Sequence, residues 1–324
     1  VLTNDKGLDA RVLGRLADQM AALHDQGRNV VLVSSGAVAS GRRVIEKSVE
    51  EFKGLPERQA ASAVGQSRLM AIYEQLFAQH GLNVAQVLLT HDDLEHHERH
   101  LNARNTLVTL LSRGVVPVIN ENDAISFTEI KFGDNDRLGA LTATLMDADL
   151  LVILSHVEGL LDRTGQRIPL VPTVTREIEA LAGGTDRVTS VGGMKSKLEA
   201  AKIVTRSGAP MIIARGDQPD VLARILAGDE IGTLFLPADT RLAHRKRWIA
   251  FFQRPTGALI VDDGARRAVR EAGKSLLAKG ILRAEGDCTP GTVVSIRDTT
   301  GQEFARGLLR AGNIRVHRDD LALL

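Results

Sequence analysis

Two clusters of carboxylate and amide side chains lie close together near the middle of the chain. The first, residues 120–123 (Asn-Glu-Asn-Asp), follows the apolar, β-branched run at 115–119, which predicts a buried strand. The second, residues 133–136 (Gly-Asp-Asn-Asp), directly precedes a helical pattern of leucines. Ligands of open α/β sheets bind beyond the carboxyl ends of strands. Asn and Asp also cap helices and build turns, but two such clusters so close together favour a binding site.

A glycine-opened helix near residue 193 could bind phosphate. Gly192 and Gly193 precede a helical pattern whose first turn contains Lys195 and Lys197. Backbone N–H groups at a helix N-terminus bind anions, and lysines there oppose the helix dipole unless an anion is present. The segment is not a Walker motif, because no GxxxxGK[ST] follows a strand, and the chain has no GxGxxG fingerprint.

A third candidate is the turn that follows the apolar strand at residues 29–33. It reads Ser34, Ser35, Gly36 and then continues as a helix. Hydroxyls and backbone N–H groups at the start of a helix suit an anionic ligand. Alone this signal is weak, since Ser and Gly are common in turns.

The elements that must position these groups alternate between strand and helix. Helices are predicted at residues 9–26 and 56–80 and strands at 83–89, 149–154, 210–214 and 232–236, with an exposed loop at 159–172. Such alternation predicts βαβ units and an α/β fold, with a mostly parallel open sheet sandwiched by helices.

Composition changes near residue 245, where short strands and turn glycines replace the alternation. Residues 245–324 carry 15 Lys+Arg against 9 Asp+Glu, whereas the remaining 244 residues are net acidic. We therefore predict two domains, an α/β domain at residues 1–240 and a small β-rich domain at 246–324.

Composition also excludes some classes of protein. No run of 18 or more apolar residues is present, so no membrane span is expected. Cys288 is the only cysteine, which excludes an intrachain disulfide and fits a reducing, cytoplasmic location. No signal-peptide pattern begins the sequence.

The order of these motifs resembles the amino acid kinase superfamily, and within it the glutamate 5-kinases. The resemblance covers essentially the whole chain and rests on motifs at residues 33–37, 63–66, 101–104, 118–123, 131–136, 193–201 and 246–249. The end of the chain, with motifs at 277–281, 291–294 and 316–320, is similar to the PUA domain found in many bacterial members of that family.

The resemblance implies ATP-dependent phosphorylation of the γ-carboxylate of L-glutamate, the first step of proline biosynthesis, with ATP and Mg²⁺ as cofactors. It assigns glutamate binding to Ser35, Gly36, Asp123 and Asn135. It assigns ATP binding to Ser155, His156, Gly192, Gly193, Met194, Lys195, Ser196 and Lys197. Lys197 would stabilise the transition state, and Asp136 would orient the lysines around the phosphates. No protein metal site is implied, because Mg²⁺ would bind mainly through ATP oxygens.

The chain departs from the family pattern in several places, and its final module is short between Leu309 and Ile314. The family's first strand and its lysine-bearing phosphate loop would precede Val1, so we expect part of the phosphate site to lie there. His156 stands where the family usually has Asp after Ser155, and Ser190-Val191 stands where it has a further glycine.

The sequence leaves several hypotheses about function open. The chain could be another member of the superfamily, acting on aspartate, acetylglutamate, carbamate or a nucleotide. It could instead bind RNA through the basic PUA-like end, although carboxylate-rich clusters would repel phosphate backbones. The histidines at positions 91, 96, 97 and 100 suggest a metal site, but acidic residues interleave with them as on a solvated segment. The family resemblance further implies a homo-oligomer and feedback inhibition by proline.

Overall fold

The computed structural model describes residues 3–4, 7–45, 54–125, 134–183, 193–238 and 242–324. The chain divides into two compact units, Val1–Ala238 and Asp239–Leu324. Among the helices that these residues form, none is both long and apolar enough to cross a bilayer.

The first unit alternates strands and helices. Its strands are β1 (Thr3–Asn4), β2 (Gly7–Leu8), β3 (Leu32–Val33), β4 (Asn83–Leu89), β5 (Val115–Glu121), β6 (Leu151–Ser155), β7 (Leu170–Val171), β8 (Met211–Arg215) and β9 (Thr233–Phe235). Its helices are α1 (Ala10–Asp25), α2 (Ala37–Ile45), α3 (Leu55–Ala78), α4 (His91–Glu95), α5 (His97–Ser112), α6 (Asp134–Leu145), α7 (Arg176–Ala180), α8 (Gly193–Arg206) and α9 (Val221–Ala227).

A three-stranded parallel sheet in the order β3-β5-β4 carries the first polar cluster. The central strand, β5, is buried from Val116 to Glu121, as expected for an apolar run covered on both faces. Val33 pairs with Ile119, so the carboxyl ends of β3 and β5 lie side by side. This register brings the Ser34 turn next to residues 120–123.

Two long helices pack on this sheet. Asp9 caps α1, because its carboxylate accepts hydrogen bonds from the backbone N–H groups of Arg11 and Val12. Pro56 lies in the first turn of α3, where its missing N–H costs nothing. The helices share one core with β5, formed by Leu13, Leu16, Ala17, Met20, Leu69, Tyr73, Phe77, Val116 and Val118.

A second sheet, in the order β6-β8-β9-β7, follows the predicted alternation with two differences. The last predicted strand, β9, runs antiparallel to β8. Gly228 and Gly232, before it, have φ values of +91° and +73°, conformations that glycine adopts without strain and that reverse the chain. The predicted loop at 159–172 contains the short strand β7, which pairs with β9.

The second unit is built on a five-stranded mixed sheet. Its strands are β10 (Gly257–Val261), β11 (Leu276–Leu277), β12 (Ile281–Gly286), β13 (Val293–Arg297), β14 (Glu303–Leu308), β15 (Ile314–Val316) and β16 (Leu321–Leu323), with helices α10 (His244–Arg247) and α11 (Asp263–Arg270). The sheet order is β12-β10-β13-β14-β16, and β11 pairs with β15 separately. Leu259, Val261, Val294, Ile296 and Phe304 are in its core.

A buried carboxylate anchors the second unit. The Asp320 side chain is 2% exposed and receives hydrogen bonds from Arg245 Nε at 2.6 Å and from the Arg310 guanidinium. Burial alone would raise the pKa of Asp320, but the hydrogen bonds and charges of both arginines hold that pKa below its usual value.

Candidate active site

The turn between β3 and α2 is held by hydrogen bonds on several sides. Ser34 is fully buried, and its backbone N–H donates to Ile119 O at 2.8 Å. Its hydroxyl lies 2.8 Å from the hydroxyl of Tyr73 on α3 and donates to Ser35 O at 3.2 Å. Gly36, with a φ of +105°, directly precedes α2, and its carbonyl accepts a hydrogen bond from Ser40 N in the first turn of that helix. Ser35 is therefore presented on a turn with a fixed backbone.

Close packing of α2 on α3 sets the position of this turn. A Cβ added to Gly65 of α3 would overlap Ala37 O, and one added to Gly41 of α2 would overlap Ala61 O. Both obstacles are backbone atoms, which cannot rotate away. Only glycine at these two positions permits the observed distance between the helices.

Asn135, in the first turn of α6, contacts the same turn. Its amide Nδ2 donates to Ser34 O at 3.2 Å, which fixes the orientation of the amide group. Its Oδ1 is buried and has no hydrogen-bond partner among the described residues. The structure thus brings Asn135 and the Ser35 turn together and leaves a buried acceptor beside them.

Asp123 follows β5 and is 9% exposed. Its Oδ2 accepts a hydrogen bond from Ser62 Oγ of α3 at 2.8 Å. Nearby on the same helix, Gln66 Oε1 accepts from Asn120 Nδ2 at 2.9 Å. Side chains of α3 therefore bind the end of β5 at two points.

Asp136, the residue after Asn135, contacts α8 instead. Its Oδ2 accepts hydrogen bonds from Ser196 Oγ at 2.6 Å and from Lys197 Nζ at 3.0 Å. The side chains of Asp136 and Lys197 are 15% and 12% exposed, so this ion pair is largely shielded from water. A lysine paired in this way is held in one position at the N-terminus of a helix.

The other residues predicted to bind ATP are less tightly grouped. Gly193 and Met194 begin α8 and are half-buried, whereas Lys195 is exposed; Gly192 lies outside the described residues. Ser155 ends β6, and its carbonyl accepts from Gly216 N at 2.9 Å. His156 is exposed. Within the described part of the chain, no hydrogen bond or ion pair joins Ser155 or His156 to α8.

Two contributors were missed by sequence reasoning, Ser62 and Tyr73. Burial raises the pKa of Tyr73 to about 12, and the hydrogen bond with Ser34 acts in the opposite direction. The sequence did contain a signal for Tyr73, which is the only tyrosine of the chain and lies among the apolar residues of the predicted helix. A tyrosine hydroxyl needs a hydrogen-bond partner when it is buried. Ser62 gave no comparable signal.

The histidine-rich segment has polar partners of its own. His91 Nε2 accepts from Arg137 Nε at 2.9 Å, and His96 Nδ1 lies 2.8 Å from Asp92 O. Within the part of the chain that the structure describes, no group of three or more His, Cys, Asp or Glu side chains could hold a metal ion.

Comparison with known proteins identifies the family of the chain. The family model described as the amino acid kinase family matches residues 1–215, and the PUA domain model matches residues 257–313. The glutamate 5-kinase of Pelobacter propionicus is 46% identical over 355 aligned positions, which cover the whole chain and 95% of that protein. The glutamate 5-kinase of Geobacter sulfurreducens is 47% identical, with the whole chain and 95% of that protein covered.

A solved structure supports the fold. UMP kinase from Bacillus anthracis superposes with a TM-score of 0.50 at 15% identity, covering 74% of this chain and 93% of that one. At this identity the likeness concerns the fold alone. Because the family model matches most of the chain and the relatives are similar along all of it, the chain belongs to the amino acid kinase family and, within it, to the glutamate 5-kinases.

Proposed function

We propose that the protein transfers the γ-phosphoryl group of ATP to the γ-carboxylate of L-glutamate, giving L-glutamyl 5-phosphate, the first step of proline biosynthesis. Relatives of 44–49% identity bear the name glutamate 5-kinase, and kinases of this family use ATP. We further propose that residues 1–240 carry this activity and that residues 246–324 form a PUA-like domain.

One observation carries the proposal. Two consecutive residues at the start of α6 contact the two halves of the proposed site. Asn135 binds the Ser34 turn of the first half-site, which is proposed to bind glutamate. Asp136 binds Ser196 and Lys197 of α8 in the second half-site, which is proposed to bind ATP. An enzyme that joins an amino acid to a phosphoryl group needs its two substrates held side by side. Adjacent side chains on one rigid helix provide such a link.

The chemistry of the first half-site suits an amino acid. Asp123 supplies a buried carboxylate and Asn135 Oδ1 a buried acceptor, and both complement the α-ammonium group of glutamate. Ser35 and Gly36, at the N-terminus of α2, offer a hydroxyl and backbone N–H groups to a carboxylate. In our proposal these four residues bind glutamate.

The chemistry of the second half-site suits a polyphosphate. The first turn of α8, which begins at Gly193, carries the ammonium group of Lys197, and backbone N–H groups at a helix N-terminus bind anions. Met194, Lys195 and Ser196 lie in the same turn, and Ser155 and His156 remain proposed ATP contacts. Mg²⁺ would be held mainly by ATP oxygens, because this ion keeps waters and uses few protein carboxylates.

The reaction needs no base and no covalent intermediate. An oxygen of the glutamate γ-carboxylate forms a bond to the γ-phosphorus while the bond between that phosphorus and the β–γ bridging oxygen breaks, and ADP leaves with the electron pair. The role of the protein is positioning and charge stabilisation. Lys197 would stabilise the charge on the transferred group, and Asp136 would keep Lys197 in place.

Three predictions about the whole protein accompany this proposal: a cytoplasmic location, a homo-oligomeric state and inhibition by proline. Light scattering after size-exclusion chromatography tests the oligomer. Titration of the kinase reaction with proline at low and high glutamate tests the inhibition.

Substrate choice is the direct test of the proposed function. The full-length protein is incubated with ATP, Mg²⁺, hydroxylamine and either L-glutamate, L-aspartate or N-acetyl-L-glutamate, and acyl hydroxamate is measured. ADP release with UMP as acceptor is measured in parallel. We expect L-glutamate to react at least tenfold faster than any other acceptor. Faster reaction with another acid or with UMP would contradict the proposal.

Two lysines of α8 give a matched pair of variants for the same assay. Lys197→Met should lower kcat roughly 100-fold or more, in the range found when one preorganised stabilising group is removed. Lys202 lies in the same helix but pairs with Glu179, so Lys202→Met should keep kcat within threefold. Equal losses in both variants would argue against a special role for Lys197.

A further inference from the structure

A buried hydroxyl pair lies behind the turn that presents Ser35. Tyr73 is 1% exposed and Ser34 is fully buried, and their hydroxyl oxygens are 2.8 Å apart. Ser34 Oγ has a single proton, which it donates to Ser35 O at 3.2 Å. The proton between the two hydroxyls must therefore come from Tyr73, so that Tyr73 donates to Ser34 and Ser34 donates to Ser35 O.

This chain of donors fixes the plane of one peptide bond. In a trans peptide the C=O and N–H groups point in opposite directions. Because Ser35 O points to the Ser34 hydroxyl, the N–H of Gly36 points away from the buried Ser34–Tyr73 pair. Gly36 has a φ of +105° and no Cβ, so this peptide could rotate at little steric cost if the hydrogen bond to Ser35 O were lost.

The other contacts of the turn do not control this peptide. Ile119 O binds the N–H of Ser34, and Asn135 Nδ2 binds the C=O of Ser34, so both act on the peptides on either side of Ser34. The carbonyl of Gly36 accepts from Ser40 and belongs to α2. Among the residues that the structure describes, the Ser34 hydroxyl alone donates a hydrogen bond to Ser35 O.

We infer that Tyr73 is a positioning residue for glutamate binding, which acts through Ser34 to keep the Gly36 N–H directed toward the substrate carboxylate. This inference rests on the proposed function, because it assigns the Ser35–Gly36 turn to glutamate. Tyr73 touches no substrate in this account. Since burial keeps the Tyr73 phenol protonated well above neutral pH, it remains a donor under all assay conditions.

Tyr73→Phe removes the first donor and leaves the aromatic ring in the core. We expect the KM for glutamate to rise about 3- to 10-fold, as for the loss of one ordinary hydrogen bond, with the KM for ATP unchanged. Ser34→Ala removes the hydroxyl that reaches Ser35 O and should raise the KM for glutamate at least as much. Because both act through one chain of bonds, the double variant should match Ser34→Ala within twofold.

A second buried hydroxyl pair in the same unit provides the control. Ser207 Oγ lies 3.1 Å from Thr144 Oγ1, and both residues are buried. Ser207→Ala should lower the Tm as Tyr73→Phe does, but it should leave the KM for glutamate unchanged. This variant separates loss of stability from loss of substrate positioning.

The experiment measures Tm and the KM values for glutamate and ATP in the full-length wild-type protein and these four variants. A selective rise in the KM for glutamate in Tyr73→Phe, absent from Ser207→Ala, supports the inference. If the wild type uses glutamate but Tyr73→Phe keeps its KM within 1.5-fold, or if Ser207→Ala shifts it equally, the inference is wrong and the proposed function stands. If the wild type shows no glutamate-dependent turnover, both are wrong.

Discussion

Replacing Asp136 by Asn tests how much of the phosphoryl transfer depends on a correctly held Lys197. The Lys197 Nζ to Asp136 Oδ2 distance of 3.0 Å corresponds to a gross attraction of roughly 5 kcal/mol at an effective dielectric constant near 20. Desolvation of the two charges offsets part of this attraction, and the amide oxygen of the introduced asparagine can still accept a hydrogen bond from Lys197. We therefore expect the substitution to weaken the interaction between the two side chains by about 1–3 kcal/mol. That loss is enough to let the lysine leave its position.

The expected kinetic signature is a fall in kcat of roughly 100-fold, because a group that stabilises transition-state charge is no longer preorganised. The KM for ATP should stay the same or fall, because the positive charge of Lys197 is no longer partly neutralised by a neighbouring carboxylate. Hydroxamate formation at saturating glutamate and varied ATP measures both values. A kcat within threefold of wild type would refute the reasoning.

Asp229→Asn is the matched control for this variant. Asp229 also pairs with a basic residue, Arg224, but both side chains are nearly half exposed, and such pairs contribute little. The control therefore makes the same charge change at the surface. It should leave kcat, the KM for ATP and the Tm close to those of the wild type.

Three further predictions concern packing, glutamate binding and acid stability. Gly65→Ala should destabilise the protein by about 1–3 kcal/mol or more and raise the KM for glutamate, because a Cβ there meets Ala37 O at the start of α2; urea unfolding and kinetics measure both. Ser62→Ala removes a hydrogen bond to the carboxylate of Asp123 and should raise the KM for glutamate roughly 10-fold while sparing that for ATP. Asp320 has a lowered pKa, so its contribution to stability is present above its unfolded pKa of about 3.9 and is lost as the pH falls through its folded pKa; Asp320→Asn should lower stability at pH 7 and flatten the decline below pH 4.

Each of these predictions has a control or an outcome that contradicts it. Gly14→Ala places a Cβ only 3.8 Å from the nearest Leu76 atom, so it should be neutral or slightly stabilising. Ser67 of α3 is exposed, and Ser67→Ala should change neither KM. Equal effects of Ser62→Ala and Ser67→Ala would contradict the role of Ser62. Acid unfolding curves of the same shape in wild type and Asp320→Asn would contradict the role of Asp320.

Much of the fold followed from local sequence signals. The β-branched run before Asn120 predicted the buried strand β5, and the apolar periodicity between Pro56 and His80 predicted α3 to within two residues at each end. These signals are strong because the buried face of a helix or strand requires apolar residues at a regular spacing along the sequence. The pairing of β9 antiparallel to β8 was not predicted, since the apolar pattern of a strand does not reveal the direction in which it runs.

Sequence reasoning named the candidate site residues and expected Asp136 to contact the lysines, as it does with Lys197, but it did not give the other contacts of the site. The motifs pointed to Asp123, Asn135 and Lys197, because carboxylates, amides and lysines at strand and helix ends are unusual enough to be noticed. Tyr73 and Ser62 were missed because each acts through one contact with a residue far away in the sequence. A single serine or tyrosine in a helix fits a core or a surface equally well, and only the packing of α3 on the sheet decides between them.

The identity of the nucleophile is the most direct test of the account. The full-length protein is incubated with ATP, hydroxylamine and L-glutamate labelled with ¹⁸O in the γ-carboxylate, and the inorganic phosphate released is examined by mass spectrometry. Hydroxylamine attacks the acyl carbon of the product, so the bridging oxygen leaves with the phosphate. If the carboxylate attacks phosphorus, each phosphate carries one oxygen from glutamate and is labelled accordingly. Phosphate released without ¹⁸O during glutamate-dependent turnover would contradict carboxylate attack.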